Sequence, residues 1–261
     1  MPIIDACGMR GSVVFGSGER EQGKDSLVFI HGAGGNRTSW RLQGEYFSKA
    51  FNVVIMELPG HGAAQGQGAQ EVKDYTLWIK GALDELELLR PFVVGHSMGG
   101  AIAMDLALRF PALPKGLVPA STGARLRTVP DILDGIKRAF SETVELICES
   151  SFAQDAPEEL RRFAVAEMMK NSPGVLHGDF TACDRFDIME QVQAIGKPTL
   201  VICGDQDVLT PIKYSRFLAD KIAGARLEIV KGAGHLVMLE RAEEFNKKLE
   251  AFFWSVGTGD A

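Results

Sequence analysis

Residues 91–100 read Pro-Phe-Val-Val-Gly-His-Ser-Met-Gly-Gly, and this stretch decides the fold prediction. A short apolar run enters the pattern Gly-x-Ser-x-Gly and continues into a helical run over residues 101–110. A sharp strand-to-helix turn of this kind lifts one serine hydroxyl, here that of Ser97, above the edge of a sheet. Gly95 and Gly99 stand where a Cβ atom would collide with neighbouring atoms. The start of the helix leaves N–H groups unpaired, which suits a serine that attacks a carbonyl and forms an oxyanion.

The composition narrows the class of protein. A chain of 261 residues, 46% of them hydrophobic, fits one large α/β domain or such a domain with an insertion. The net charge of −6 and the lack of a basic block argue against a nucleic-acid partner. The four cysteines show no CxxC pairing, which is typical of reduced thiols.

The sequence also predicts where the protein resides. No apolar run approaches the roughly 20 residues that a membrane-spanning helix needs. Residues 1–11 lack a basic segment followed by an apolar core, so we expect no signal peptide. The resulting expectation is a cytoplasmic protein without a membrane span. The sequence leaves its oligomeric state open between monomer and dimer.

The order of the secondary-structure elements predicts an α/β fold with a mostly parallel central sheet flanked by helices. Short β-branched runs predict buried parallel strands, and the start of the chain predicts one antiparallel strand. Helices are expected over residues 75–89, over 101–110 and around Phe245 near the end. The parallel strands are predicted at 27–30, 53–56, 92–94, 117–119, 199–203 and 227–230, and the antiparallel strand at 13–15.

The alternation of strand and helix breaks over residues 121–197, which we interpret as a helical cap inserted in the α/β core of residues 1–120 and 198–261. Residues 155–158, Asp-Ala-Pro-Glu, predict a helix start with Asp155 as the N-cap. Residues 171–173, Asn-Ser-Pro, predict the end of that helix and the start of another. The Gly- and Gln-rich residues 60–70 predict a flexible loop.

A serine hydroxyl needs a base and an orienting acid before it can act as a nucleophile at neutral pH. His235 is the best base, because it lies in a Gly-rich loop directly after a predicted strand. Asp207 follows the preceding predicted strand and is preferred over Asp205, which could serve as a turn residue. Loops that follow parallel strands emerge at one edge of a sheet, so Ser97, Asp207 and His235 are expected to converge there.

A second glycine-rich segment predicts the oxyanion hole. Residues 29–35 read Phe-Ile-His-Gly-Ala-Gly-Gly and follow the first predicted parallel strand. Glycines there let backbone N–H groups approach a bound oxygen atom closely. We expect the donors to be the N–H groups of Ala33 and of Met98, which directly follows the serine.

These motifs resemble those of the α/β-hydrolase fold superfamily, in particular serine esterase- or lipase-like members with a helical cap. The resemblance covers residues 25–254 and implies that Ser97 is the nucleophile, Asp207 the acid and His235 the base. Glu57 departs from the family, which usually has Asp there, and the loop after Gly62 lacks the common Ser. The matching motifs lie in the family's order at residues 31–32, 57–62, 95–100, 204–211 and 234–235.

The cap is expected to supply part of a substrate pocket. His96, Met168 and Phe180 are the candidate pocket residues, although most apolar side chains of the cap could instead form its own core. Met168 and Met169 are adjacent on a helix, so both cannot face the same contact. No cluster has metal-ligand spacing, and we assign neither a metal nor a cofactor.

The sequence therefore predicts a serine hydrolase that cleaves small to medium carboxylic esters through a Ser-His-Asp triad and an acyl-enzyme intermediate. A C–C bond hydrolase or a thioesterase with the same triad is the nearest alternative. A weakly catalytic ligand sensor on the same fold is an alternative from another class.

Overall fold

The computed structural model describes residues 2–16, 20–64 and 66–257. Its centre is an eight-stranded sheet in the order β1-β2-β4-β3-β5-β6-β7-β8. The pairs β1–β2 and β2–β4 are antiparallel, and all later pairs are parallel. The strands are β1 Ile3–Ala6, β2 Met9–Phe15, β3 Ser26–Ile30, β4 Asn52–Glu57, β5 Phe92–His96, β6 Gly116–Ala120, β7 Leu200–Gly204 and β8 Arg226–Val230.

Helices connect and cover these strands. Two short 3-10 helices, Arg37–Trp40 and Val192–Ala194, supplement the α-helices of the described chain. The α-helices are α1 Arg41–Phe47, α2 Val72–Glu85, α3 Met98–Arg109, α4 Pro130–Arg138, α5 Phe140–Ser150, α6 Glu158–Met168, α7 Pro173–Arg185, α8 Ile212–Lys221, α9 Val237–Glu240 and α10 Ala242–Gly257.

The central strands are buried on both faces, which explains their continuous apolar runs. Alternate side chains enter two separate cores because successive Cβ atoms point to opposite faces of a strand. Val28 lies in one core with Trp78 of α2 and Ile102 of α3. Phe29 lies in the other core with Phe253 of α10. The sheet is therefore a rigid base for the loops at its edges.

The six predicted parallel strands are confirmed, five of them to within one residue at each end, whereas β5 extends two residues further, to His96. The antiparallel strand predicted at residues 13–15 is also confirmed, but β2 begins four residues earlier, at Met9. The sequence prediction missed β1, because this edge strand buries a single side chain, that of Ile4. The helix predicted over residues 75–89 is displaced. It ends at Glu85, and Leu89 is 87% exposed because positive φ angles at Glu87 and Arg90 turn the chain away from the core.

We name residues 121–197 the cap segment. It carries helices α4–α7 and lies between β6 and β7 in the chain. α7 begins at Pro173, so the helix start predicted within residues 171–173 is confirmed, and the Ser172 side chain caps it by accepting a hydrogen bond from the Val175 N–H. The predicted N-cap Asp155 is wrong: α6 begins two residues later, with Pro157 at the N-cap. The fixed φ of proline suits that position and moves the helix start.

The loop predicted over residues 60–70 connects β4 to α2, and its Gln65 lies outside the described residues. Within the described ranges, none of the helices combines the length and apolar character that crossing a membrane requires.

Candidate active site

The strand-to-helix turn at Ser97 has the sharp, closely packed geometry that the neighbouring glycines predict. β5 ends at His96 and α3 begins at Met98, so Ser97 alone makes the turn, with φ 53° and ψ −116°. Such a conformation is strained for a residue with a side chain and is held by its surroundings. A Cβ atom on Gly95 would lie 2.0 Å from the Gly99 carbonyl oxygen, and one on Gly99 would lie 2.3 Å from that of Ile30. Only glycine allows this close packing of strand and helix.

Asp207 and His235 meet although they follow different strands. The Nδ1 atom of His235 lies 2.9 Å from Oδ2 of Asp207, and both residues are buried. Burial by itself raises the pKa of Asp207, but the neighbouring His235 and the hydrogen bonds to its carboxylate outweigh burial and leave the pKa below its usual value. The carboxylate therefore stays ionised beside the imidazole at neutral pH.

Thr210 is part of this arrangement and was missed by the sequence prediction. Its hydroxyl donates to Oδ2 of Asp207 at 2.8 Å, and its backbone N–H donates to Oδ1 at 2.8 Å. The N–H of Leu209 donates to the same Oδ1 at 3.0 Å. The signal in the sequence was the spacing of Asp and Thr three residues apart, which is typical of a side chain that bonds the backbone of its own turn.

The loop that carries His235 is fixed by the cap segment. The N–H groups of His235 and Leu236 both donate to the carbonyl oxygen of Ser151, at 2.9 and 3.2 Å. Glu240 accepts from the N–H groups of Gly234 (3.0 Å) and Ala153 (2.8 Å), and so joins the loop to the cap segment. The sequence prediction missed Glu240, because nothing in its helical surroundings marks it.

His96 braces the same loop from the other side. Its Nε2 lies 2.9 Å from the carbonyl oxygen of His235, which can only accept, so Nε2 carries the proton and donates. Burial, together with repulsion from His235, lowers the pKa of His96 to about 3. The ring is therefore neutral at physiological pH, and it packs edge-on against the His235 ring at 4.7 Å.

The segment predicted as the oxyanion loop is held by His31. The Leu58 N–H donates to Nε2 of this ring at 3.1 Å, so the proton is on Nδ1, which donates to the Gly32 carbonyl oxygen at 2.8 Å. The Gly35 N–H donates to that oxygen as well. The Ala33 N–H points the opposite way, because a trans peptide opposes its C=O and N–H groups. Burial, and then repulsion from His61, lowers the pKa of His31 to about 4.

Glu57, the residue that departs from the family pattern, holds the turn after β4. Its buried carboxylate accepts from the Ser12 hydroxyl at 2.7 Å and the Ala63 N–H at 3.1 Å, and it pairs with Arg37 at 3.2 Å. Burial raises the pKa of Glu57, but these partners outweigh it and lower the pKa overall. Glu57, with a side chain longer than the usual Asp, therefore holds the turn at this position.

A cavity of about 280 Å³ lies between the strand ends and the cap segment. Its wall contains Ser97, His235 and Ala33, together with the predicted pocket residues His96, Met168 and Phe180. Asp207 and Met98 are buried and are not part of the wall. Met169, beside Met168, is instead 38% exposed. No periodic signal in the sequence marks the other wall residues, which include Leu126, Arg127, Val129, Ile132, Ile147 and Tyr214.

No metal cluster is evident in the parts of the chain that the structure describes: three or more His, Cys, Asp or Glu side chains never come together in a suitable arrangement.

Comparison with known proteins decides the family. The model of the alpha/beta hydrolase family matches residues 27–248. The chain belongs to this family. As an alpha/beta hydrolase it is similar to a thermophilic esterase of known structure, with 36% identity, a TM-score of 0.86 and 98% of each chain covered.

Two curated relatives widen the range of reactions among similar hydrolases. One is 3-oxoadipate enol-lactonase 2 of Acinetobacter baylyi, 26% identical over 91% of this chain and 90% of the relative. The other is 2-hydroxymuconate semialdehyde hydrolase of a Pseudomonas species, 30% identical over 84% of this chain and 83% of the relative. Hydrolases similar to this chain are therefore named for different substrates.

Proposed function

We propose that this alpha/beta hydrolase cleaves small to medium carboxylic esters, with Ser97 as nucleophile, His235 as general base and Asp207 as the orienting acid. One observation carries the proposal. Ser97, in its strained turn, and His235 both line the cavity, and the buried Asp207 is hydrogen-bonded to His235 at 2.9 Å. An orienting acid, a base and a nucleophile that faces a cavity are the groups that acyl transfer requires.

The direction of proton transfer follows from which nitrogen of His235 Asp207 binds. Asp207 engages Nδ1 of His235, so Nε2 is the nitrogen that takes the proton from Ser97 as Oγ attacks the ester carbonyl. The N–H groups of Ala33 and Met98 bind the oxyanion. His235 then protonates the departing alcohol, and the C–O bond to the alcohol breaks. A water molecule, deprotonated by His235, hydrolyses the acyl-Ser97 ester and restores the enzyme.

The size and lining of the cavity support small to medium substrates. Its volume of about 280 Å³ lies just below the common range of about 300–1,000 Å³ for small-molecule sites. Apolar side chains such as Ile132, Met168 and Phe180 form much of its wall. Such a wall accepts an acyl chain.

Ser97→Ala tests the proposal. We expect turnover of p-nitrophenyl acetate and butyrate to fall by at least about 1,000-fold, because no other group supplies the nucleophile. Labelling by a fluorophosphonate should also disappear. Ser141→Ala, on an exposed position of α5, is the matched control and should behave as the unaltered protein. Activity that survives Ser97→Ala would refute the assignment.

A carboxylate-bearing substrate cleaved at a C–C or lactone bond is the second candidate. Arg127 favours it, because within the described wall this is the one permanently charged side chain. Two relatives are named an enol-lactonase and a muconate semialdehyde hydrolase. A panel that sets p-nitrophenyl butyrate beside a vinylogous diketone with a carboxylate separates the two candidates by their kcat/KM values.

A further inference from the structure

Asp179 is a buried carboxylate of the cap segment that none of the proposed catalytic steps uses. It lies on α7 and is completely buried. Three donors from the core converge on it. Oδ2 accepts from the Gly34 N–H at 2.8 Å and lies 2.8 Å from Nε2 of His61, while Oδ1 accepts from the Tyr75 hydroxyl at 2.6 Å. A carboxylate this deeply buried persists only when donors satisfy it.

The donor and acceptor roles in these hydrogen bonds determine the charges of Asp179 and His61. The Tyr75 oxygen accepts from the Ala69 N–H, so its own proton points to Asp179. With the Gly34 N–H also donating, Asp179 acts only as an acceptor and is ionised. Nδ1 of His61 faces the Pro59 carbonyl at 3.0 Å and Nε2 faces Asp179, so both nitrogens must donate and the ring is an imidazolium.

This charge assignment agrees with the electrostatics of the site. Burial lowers the pKa of His61, but the attraction of Asp179 outweighs it, and the pKa is raised overall. The pair is completely buried, and its two members come from the core and from the cap segment. Removing one member of such a pair leaves an uncompensated charge, which makes the arrangement sensitive to substitution.

The cap segment holds Gly34 from both sides. Asp179 accepts from its N–H, and the Asn171 side-chain amide donates to its carbonyl oxygen at 2.7 Å. Gly34 adopts a positive φ of 64°, and a Cβ atom there would lie 2.5 Å from Leu176 of α7. The residue is therefore clamped against the cap segment in a conformation that favours glycine.

Ala33 lies between two fixed peptide planes. Its N–H belongs to the plane whose Gly32 carbonyl is held by His31. Its carbonyl belongs to the plane whose Gly34 N–H is held by Asp179. With both planes fixed, the direction of the Ala33 N–H is fixed as well, because the backbone has only two soft dihedrals per residue.

We propose that Asp179, paired with His61 and supported by Asn171, is a positioning residue that sets the Ala33 N–H for the oxyanion. The inference rests on the proposed function and extends it. The cap segment then contributes to transition-state binding through the backbone of the core, in addition to lining the cavity. Its effect should appear in kcat, because an oxyanion donor acts chiefly after the carbonyl has been attacked.

Asp179→Asn is the principal test, since it removes the charge and keeps the shape. On p-nitrophenyl butyrate we expect kcat to fall about 10-fold to 100-fold, with KM within about 3-fold of the original value. A phenyl trifluoromethyl ketone, which forms a tetrahedral adduct with Ser97, should lose affinity by the same factor as kcat. Asp134→Asn, an exposed carboxylate of α4, is the matched control and should change neither quantity.

Asn171→Ala is the milder variant and keeps the test decisive if Asp179→Asn does not fold. It removes one hydrogen bond to Gly34 and leaves the ion pair intact, so kcat and ketone affinity should fall together by about 3-fold to 10-fold. Circular dichroism verifies that each variant is folded. A folded Asp179→Asn or Asn171→Ala with unchanged kcat overturns the proposal, and so does a rise of KM alone.

Ser97→Ala, measured in parallel, keeps the two proposals distinguishable. Turnover that survives Ser97→Ala refutes the esterase mechanism itself. Turnover that is lost in Ser97→Ala but unaffected in Asp179→Asn refutes the positioning role alone.

Discussion

At the scale of single residues, the environment of Asp207 decides how well it can orient His235. Two backbone N–H groups engage Oδ1, while Oδ2 is shared by the Thr210 hydroxyl and the His235 ring. The hydroxyl also lies 3.3 Å from Nδ1 of His235. Thr210 therefore contacts both partners of the hydrogen bond and limits how far either can rotate.

Thr210→Val tests this role with a side chain of nearly the same shape. It removes one hydrogen bond to a charged group, which contributes about 1.5–3 kcal/mol, so we expect kcat/KM on p-nitrophenyl butyrate to fall about 10-fold to 150-fold. Thr210→Ser keeps the hydroxyl and should retain activity within about 2-fold. Full activity in Thr210→Val would contradict this role of the hydroxyl.

At the scale of elements, helices α6 and α7 form one wall of the cavity. α6 ends at Met168, which faces the cavity, while the next residue, Met169, is partly exposed. Phe180 of α7 lies in the same wall. The expectation that adjacent methionines face different surroundings is confirmed. Met168 is therefore the methionine of this pair that lines the cavity.

Met168→Ala should shift the preference toward longer acyl chains. Truncation enlarges the cavity, and one methylene in an apolar pocket changes specificity about 10-fold to 200-fold. We expect the ratio of kcat/KM for p-nitrophenyl hexanoate over acetate to rise about 10-fold. Met169→Ala is the matched control, and the same ratio should be unchanged there. A similar shift in both variants would contradict the assignment of this wall.

The elements that were predictable share a local signal, and those that were missed lack one. β-branched apolar runs marked the strands, and the residues directly after strands marked Ser97, Asp207 and His235. Asp179 carries no such mark, since its partner Gly34 lies 145 positions away and contributes only a backbone N–H group. A pattern of side chains does not encode contacts of that kind.

At the scale of the whole molecule, the completely buried His31 and nearly buried His96 are neutral, while the buried His61 is charged. For His31 and His96 the pKa is lowered to about 4 and about 3, so their contribution to the free energy of unfolding is present above the unfolded pKa of 6.5 and is lost as the pH falls. For His61 the pKa is raised, so its contribution is present below 6.5 and is lost as the pH rises through the folded value.

The free energy of unfolding should therefore decrease from pH 6.5 to pH 5. Each neutral buried histidine contributes about 1.4 kcal/mol per pH unit in this window, because the unfolded chain binds a proton that the folded chain does not. Asp207 and Glu57, with their lowered pKa values, change the free energy of unfolding only at more acidic pH. Urea titrations at pH 7, 6 and 5 measure the slope, and a flat profile would contradict the assigned charges.

The position of the cap segment in the chain also governs the order in which the protein can assemble. Ser97 precedes the cap segment, residues 121–197, whereas Asp207 and His235 follow it. β7 pairs with β6 at Ala120–Ile202 and at the bridge between Leu117 and Thr199. The long loop between these two strands must therefore close before the last two strands can join the sheet. Contacts of large sequence separation form slowly. We therefore expect catalytic competence to be the last property that the folding chain acquires.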